Sequence, residues 1–180
     1  MAGWDDALSA LVHERGAALV RYASLLTGDP REAEDLTQEA LVRTFSRGRG
    51  SLRDLAAIEG YVRRAILNAY LDGHRRRRLW DGVRHLVARP EHAPAHDHLA
   101  AERTDVEVAL TRLAPRHRAA VVLRFYDDLT VPEIARRLGV SDGAVKRYLH
   151  DGVAALEELL GPVVPAPEAH VIDLTTTGRA

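Results

Sequence analysis

Apolar residues recur at steps of three and four along nearly the whole chain: Leu8, Leu11 and Val12, then Leu36, Ala40 and Leu41, then Leu110 and Leu113. That spacing gathers them on one stripe of an α-helix, and no convincing alternating strand run occurs before the C-terminal tail. The expected fold class is therefore all-α. The 180 residues, 46% of them hydrophobic, suffice for one ordinary domain or two small ones. Two breaks interrupt the helical pattern. "RGRGSLRDL" carries two glycines and a serine and reads as a loop, and residues 79–103 combine two prolines with His92, His96 and His98 at poor periodicity, which reads as a linker. The organisation expected is two small helical domains, 1–78 and 104–160, with a linker at 79–103. The Pro-rich and then Thr-rich tail at 161–180 is expected to be poorly ordered.

Local chemistry sharpens individual elements. In "TGDPREAEDLTQEALVRTF" Asp29 can cap a helix, Pro30 suits its first turn, and Glu32 stands where a capping box places its carboxylate. A further helix is expected from about Glu59 to Arg78. In "LTVPEIARRLGVSDGAVKRYLH" Thr130 and Glu133 form a second capping-box pattern. Gly139 can end that helix with a positive backbone angle, and Ser141 can cap the next. Ile134, Ala135 and Leu138 make the apolar face of the first helix, and Val145 and Leu149 that of the second. Asp142, Gly143, Lys146, Arg147 and His150 are left pointing outwards. Such a pair matches a helix-turn-helix whose second helix meets base edges while Arg136 and Arg137 hold phosphates. The alternative is an ordinary helical corner with a solvated charged face.

Upstream, Asp35, Gln38 and Glu39 share one helix face, which is either a docking surface or simply solvated. The third helix ends in "DGHRRRRLW", a collar of four consecutive arginines following Asn68 and Asp72. It can neutralise phosphates or merely complement the helix dipole. Tyr61, Tyr70 and Trp80 lie close to it in sequence. An aromatic beside arginine suits stacking of unpaired bases, although Tyr70 fits a core position better.

Composition removes several classes. There is no cysteine, hence no disulfide, thiolate metal site or cysteine nucleophile. No apolar run reaches the roughly 18 residues of a membrane span. "MAGWDDALSA" lacks the basic start and apolar core of a secretory signal. A cytoplasmic protein without contact to a membrane is expected. The net charge of −1 means that any nucleic-acid binding depends on local clusters.

Taken together, "EDLTQEALVRTF", "GYVRRAILNAYLDGHRRRR" and "LAPRHRAAVVLRFYDDLTVPEIARRLGVSDGAVKRYLH" resemble the small two-domain sigma factors of bacterial RNA polymerase, the extracytoplasmic-function group, over about residues 5–160. The resemblance implies a transcription initiation factor, not an enzyme. It carries no catalytic residue, cofactor or metal, its partners are core RNA polymerase and promoter DNA, and an anti-sigma protein is a further candidate. It implies that Asp35, Gln38 and Glu39 dock on the polymerase. Tyr61, Arg64, Asn68, Asp72, Arg75 and Arg76 would meet the minus-ten element. Arg136, Arg137, Ser141, Asp142, Lys146, Arg147 and His150 would meet the minus-thirty-five element. Two positions depart from the family pattern: Tyr61 stands where tryptophan is frequent, and Asp151 where a basic residue is common, which would repel phosphate. A stand-alone helix-turn-helix regulator is the alternative, and it leaves residues 1–78 unexplained. A metal enzyme built on His92, His96 and His98 is a third reading, and no carboxylate pair supports it.

Overall fold

The computed structural model describes residues 3–46, 55–84 and 104–161. Among them are seven helices and no strand: α1 (Gly3–Thr27), α2 (Pro30–Ser46), α3 (Leu55–Arg84), α4 (Asp105–Arg112), α5 (Pro115–Phe125), α6 (Val131–Leu138) and α7 (Asp142–Leu160). The all-α expectation holds. Most of the 79–103 segment, the tail with its apolar residues Val171, Ile172 and Leu174, and His92, His96 and His98 lie outside the described residues.

Helices α1, α2 and α3 pack on one another. Their mutual core is Leu11, Leu19, Tyr22 and Leu26 of α1, Ala33 and Ala40 of α2, and Ile58, Val62, Ile66, Leu67 and Tyr70 of α3. Ile58, Val62, Ile66 and Tyr70 fall four residues apart, with Leu67 and Ala69 flanking them, so they form one stripe, and each large side chain removed from water contributes about 1.5–3 kcal/mol. Thr37 is buried on α2 because its hydroxyl donates to the Ala33 carbonyl at 2.7 Å.

The structure corrects two boundary readings and one capping partner. Helix α3 begins at Leu55 rather than near Glu59, since Ile58 is buried and holds the first turn against the core. It continues to Arg84 rather than ending at Arg78. Arginine is a good helix former, so losing the apolar stripe does not end the helix. Before α2, Asp29 caps as expected, its Oδ1 accepting from the Arg31 and Glu32 amides at 2.8 and 3.2 Å. Glu32 does not complete a capping box. The Asp29 amide instead donates to Thr27 Oγ1 at 3.2 Å, which frees Glu32 to bind Arg77 of α3 at 3.0 and 3.1 Å.

The second block, α4 to α7, starts at a capping box that the sequence reading passed over: Thr104 Oγ1 accepts from the Glu107 amide while the Glu107 carboxylate accepts from the Thr104 amide. Helices α5 and α7 pack closely, and Gly152 of α7 is what permits it. A Cβ there would stand 2.9 Å from Val121 Cγ2 and 3.7 Å from the His117 carbonyl. Asp128 takes the left-handed region (φ 51°) between α5 and α6, where a short polar residue is tolerated.

The two blocks also touch. Helix α1 meets α4 and α5, and α3 meets α5. Arg118 of α5, 6% exposed, donates to the Leu26 carbonyl of α1 at 2.6 Å and to the Leu110 carbonyl of α4 at 2.5 Å. Arg63 of α3 pairs with Asp127 at 2.5 Å. The buried apolar residues of both blocks join in one cluster.

Replacing Gly152 with valine should therefore cost about 1–3 kcal/mol by overpacking the α5–α7 contact. Gly60→Ala, where an added Cβ meets nothing within 4 Å inside α3, should instead gain up to about 1 kcal/mol. Urea denaturation of the two variants checks both signs.

Candidate nucleic-acid interface

The turn between α6 and α7 is fixed by backbone chemistry at both ends. Thr130 is extended (φ −72°, ψ 159°), and the Glu133 carboxylate accepts from its amide at 2.8 Å and its hydroxyl at 2.6 Å. These two bonds favour the charged form and hold the Glu133 carboxyl below the usual glutamate range. Gly139 ends α6 at φ 64°, and the Val140 amide closes the turn on the Ala135 carbonyl at 3.1 Å. Ser141 Oγ then accepts from the Ala144 amide at 3.3 Å and starts α7. Ile134, Ala135 and Val145 are buried, with Leu138 and Leu149 half-buried beside them. That burial sets the rotation of α7 and leaves Ser141, Asp142, Gly143, Lys146, Arg147 and His150 exposed, as the sequence pattern required. Arg136 is exposed, whereas Arg137 is half-buried. Asp151 lies 3.6 Å from His117 Nε2, so its charge faces an imidazole of α5 as well as solvent.

On α3 the exposed residues Tyr61, Arg64, Asn68, Asp72 and Arg75 follow one another at three- and four-residue steps along the outer side of the helix, opposite the core stripe, while exposed Arg76 stands eighteen residues, five full turns, after Ile58. Trp80, 68% exposed, stands eighteen residues, five full turns, after Val62 and so lies on the azimuth of the core stripe, past the point where the core ends. Tyr70 is buried and meets His74 edge-on with ring centroids 4.6 Å apart. Burial, and then the positive charge of Arg77, lower the His74 pKa from its ordinary value. The arginine collar is not uniform: Arg77 is committed to Glu32, while Arg75, Arg76 and Arg78 have no such ion pair among the described residues.

On α2, Asp35, Gln38 and Glu39 are all exposed, with Glu39 paired to Arg43 at 2.6 Å. Val42 is 67% exposed at the next step of that face. Sequence reasoning passed over it, although its spacing of seven from Asp35 was the available signal.

The structure also joins surfaces that are far apart in sequence. Asn68, Asp72, Arg75 and Arg78 of α3 line a cleft of about 890 Å³ whose other wall includes Arg116, His117, Arg137 and Tyr148. Arg64 shares a smaller cleft, of about 250 Å³, with Glu133, Arg136 and Arg137. The outer side of α3 thus looks towards α6, while Lys146, Arg147 and His150 line neither cleft. Arg116 and His117 are not among the sequence candidates, because nothing local marks them as neighbours of α3. Among the described residues no group of His, Cys, Asp and Glu could hold a metal ion, and no helix is long and apolar enough to cross a membrane.

Comparison with known proteins follows the same division. Residues 11–79 match the family model "Sigma-70 region 2", and residues 103–156 match "Sigma-70, region 4". The chain is 36% identical to the RNA polymerase sigma-E factor of Streptomyces coelicolor over 150 residues, 83% of each chain. It is 32% identical to the ECF RNA polymerase sigma factor SigL of Mycobacterium tuberculosis over 152 residues, 83% of this chain and 86% of the relative. The fold is similar to that of the sigma factor RpoE of Bartonella quintana, solved with the anti-sigma factor NepR. The TM-score is 0.60 at 20% identity, over 89% of this chain and 98% of that one. With a region 2 match over the first three helices, the stand-alone regulator reading falls away. A helix-turn-helix on the second block, an acidic face and an arginine-bearing stripe on the first, and relatives aligned across both place this chain in the RNA polymerase sigma factor family, within its extracytoplasmic-function group.

Proposed function

We propose that the chain divides promoter recognition between its two blocks. The observation that carries this reading is the pair of separate exposed faces, one on α3 and one on α7, each rotated outwards by a buried apolar stripe on the opposite side of its helix. Asp35, Gln38 and Glu39, with Val42 beside them, form the polymerase-docking face of α2. The α3 face, with Tyr61, Arg64, Asn68, Asp72, Arg75 and Arg76, takes the melted strand of the minus-ten element, where guanidinium groups neutralise phosphates and aromatic rings offer stacking platforms. Helix α7 enters the major groove at the minus-thirty-five element with Ser141, Asp142, Lys146, Arg147 and His150, and Arg136 and Arg137 hold backbone phosphates. The protein does no chemistry on these partners. It works in the cytoplasm by placing the polymerase, and an anti-sigma protein is the class of partner that would oppose it.

Asp35→Lys combined with Glu39→Lys should abolish co-elution with core RNA polymerase while circular dichroism remains helical. Unchanged co-elution would remove α2 as the docking face. Arg75→Ala with Arg76→Ala should flatten the salt dependence of binding to single-stranded minus-ten DNA, by a slope of about 0.7 for each phosphate no longer neutralised. An unmoved slope would reduce these arginines to a solvated helix end. On α7, adjacent residues diverge by about 100°, so Lys146 and Arg147 cannot reach the same base. Arg147→Ala should cost about 1–3 kcal/mol at one base pair and relax the choice there, since its planar fork suits a guanine edge. Lys146→Ala should weaken every duplex sequence alike. Gel shifts of holoenzyme on minus-thirty-five variants separate the two outcomes.

A further inference from the structure

An arginine that reaches another element of this structure generally finds an acceptor there. Arg63 binds Asp127, Arg77 binds Glu32, and Arg118 binds two carbonyls. The cleft of about 890 Å³ breaks that pattern. Four guanidinium groups from three helices line it: Arg75 and Arg78 of α3, Arg116 of α5 and Arg137 of α6. Asp72 is the single carboxylate among the lining residues, and among the described residues no ion pair joins it to any of the four. Like charges gathered on low-dielectric walls repel one another and focus a positive field into the space between them, which draws anions in. The N-terminus of α5 stands at the same wall. Ala114, Pro115 and Arg116 line the cleft, and Ala114 gives the helix no side-chain cap, so the positive end of its dipole adds to the field.

Charge is only part of the lining. The α3 wall runs from Asn68 to Leu79, about 16 Å along the helix axis. Its arginines lie towards the later end, while the earlier end offers Leu71 and the Asn68 amide, which both donates and accepts. Across from α3 are Leu138 at the end of α6 and Tyr148 of α7, whose ring centroid is 5.0 Å from that of His117. Burial holds His74 below its ordinary pKa, so at neutral pH it brings an uncharged ring rather than a further cation. Phosphate groups suit the guanidinium groups, which bind them with charge-assisted hydrogen bonds. A nucleobase suits the remainder, since it stacks on an aromatic ring and presents a hydrogen-bonding edge to an amide. The volume is that of a small-molecule site.

We propose that this cleft is a binding site for a nucleoside polyphosphate, its phosphates held among Arg75, Arg78, Arg116 and Arg137 and its base set against the apolar and aromatic residues around Tyr148. The site does not depend on the reading of promoter recognition. One consequence does rest on that reading: Asn68, Asp72 and Arg75 belong both to this wall and to the α3 face assigned to the minus-ten strand. Nucleotide and strand therefore exclude one another, and free nucleotide sets how readily the factor engages a promoter.

The probes are ATP and GTP, offered without magnesium so that they keep their full charge, with inorganic tripolyphosphate and adenosine as the two halves of the ligand. Isothermal titration of the full-length protein should give one nucleotide per chain, bound more tightly than tripolyphosphate, with adenosine weaker than both. Arg78→Ala with Arg116→Ala takes one cation from each side of the cleft. Both side chains are exposed, and neither is assigned above to promoter DNA or polymerase. This pair should weaken nucleotide binding on the order of tenfold, since hydrogen bonds between charged groups are the strong ones. Arg21→Ala with Arg31→Ala removes the same charge from exposed positions outside the cleft and should leave the affinity unchanged. Circular dichroism should remain helical in both. Equal losses in the two double variants, or no saturable binding, overturn the site. Tripolyphosphate bound as tightly as the nucleotides overturns its nucleoside half. Exclusion is read separately: saturating ATP should displace labelled single-stranded minus-ten DNA from the unmodified protein. A strand that stays bound while the ATP isotherm is intact overturns the exclusion. A failure of the promoter reading looks different: no form binds the strand, yet the ATP isotherms still separate the two double variants.

Discussion

A guanidinium cannot shed its charge to suit a dry environment, so burying one dictates what surrounds it. Arg118 is such a group, and burial lowers its pKa from the ordinary arginine value without making it neutral at any physiological pH. It finds its acceptors at two helix ends. Leu110 and Leu26 lie in the last turns of α4 and α1, and the Leu110 carbonyl accepts from the Leu113 amide as well as from Arg118. One side chain thus bonds the ends of two helices and serves its own need for acceptors. It also fixes α5 relative to both. Helices α6 and α7 are in turn packed on α5, so the aim of the exposed α7 face depends on a guanidinium that touches no part of that face.

What the sequence made legible is what local chemistry decides. The turn at Gly139, the cap at Ser141, the Asp29 cap and the sidedness of α2, α3 and α7 follow from residues within four positions of one another, and each is seen in the structure. Tyr70 was readable as core because it shares the four-residue stripe of Ile58, Val62 and Ile66. The misreadings have the opposite character. Glu32 sits where a capping box would place it, but its partner is 45 residues away. Arg63 and Asp127 are separated by 64 positions, and Arg118 and Leu26 by 92. No periodicity or capping rule reports on such pairs. The end of α3 was misplaced because an arginine run lacks the apolar stripe by which buried helices are recognised, although arginine itself supports the helix.

Pairing also changes what the net charge of −1 means. Arg43, Arg63 and Arg77 are committed to Glu39, to Asp127 and Glu59, and to Glu32 respectively, and Arg118 to carbonyls. A bound cation attracts a phosphate less than a free one, because gaining the new partner means weakening the old. Among the described residues the exposed cations without an ion pair include Arg64, Arg75, Arg76 and Arg78 of α3 and Arg136, Lys146 and Arg147 of the α6–α7 face, beside Arg21, Arg31, Arg112 and Arg116 elsewhere. On that second face Asp142 remains as a local offset, while Asp151 has His117 as its neighbour. The charge arrangement gives two modest basic faces rather than one strong one.

Two modest faces on one chain have a consequence that a single strong one does not. On the division proposed above, each face by itself would meet only a few bases, at about 1–3 kcal/mol of discrimination for each good bidentate contact. Against the excess of competing sites in a genome, such a face alone is lost among non-specific DNA. If both are held at once on a rigid partner, the second contact becomes intramolecular, at an effective concentration on the order of millimolar, and the two selectivities multiply. Selectivity then belongs to the assembled complex and not to the free chain. Strengthening either face alone would erode it, because a tightly binding half would occupy DNA without the polymerase. On this view the acid at Asp142 and the commitment of so many arginines to internal partners are part of how the chain stays dependent on its larger partner.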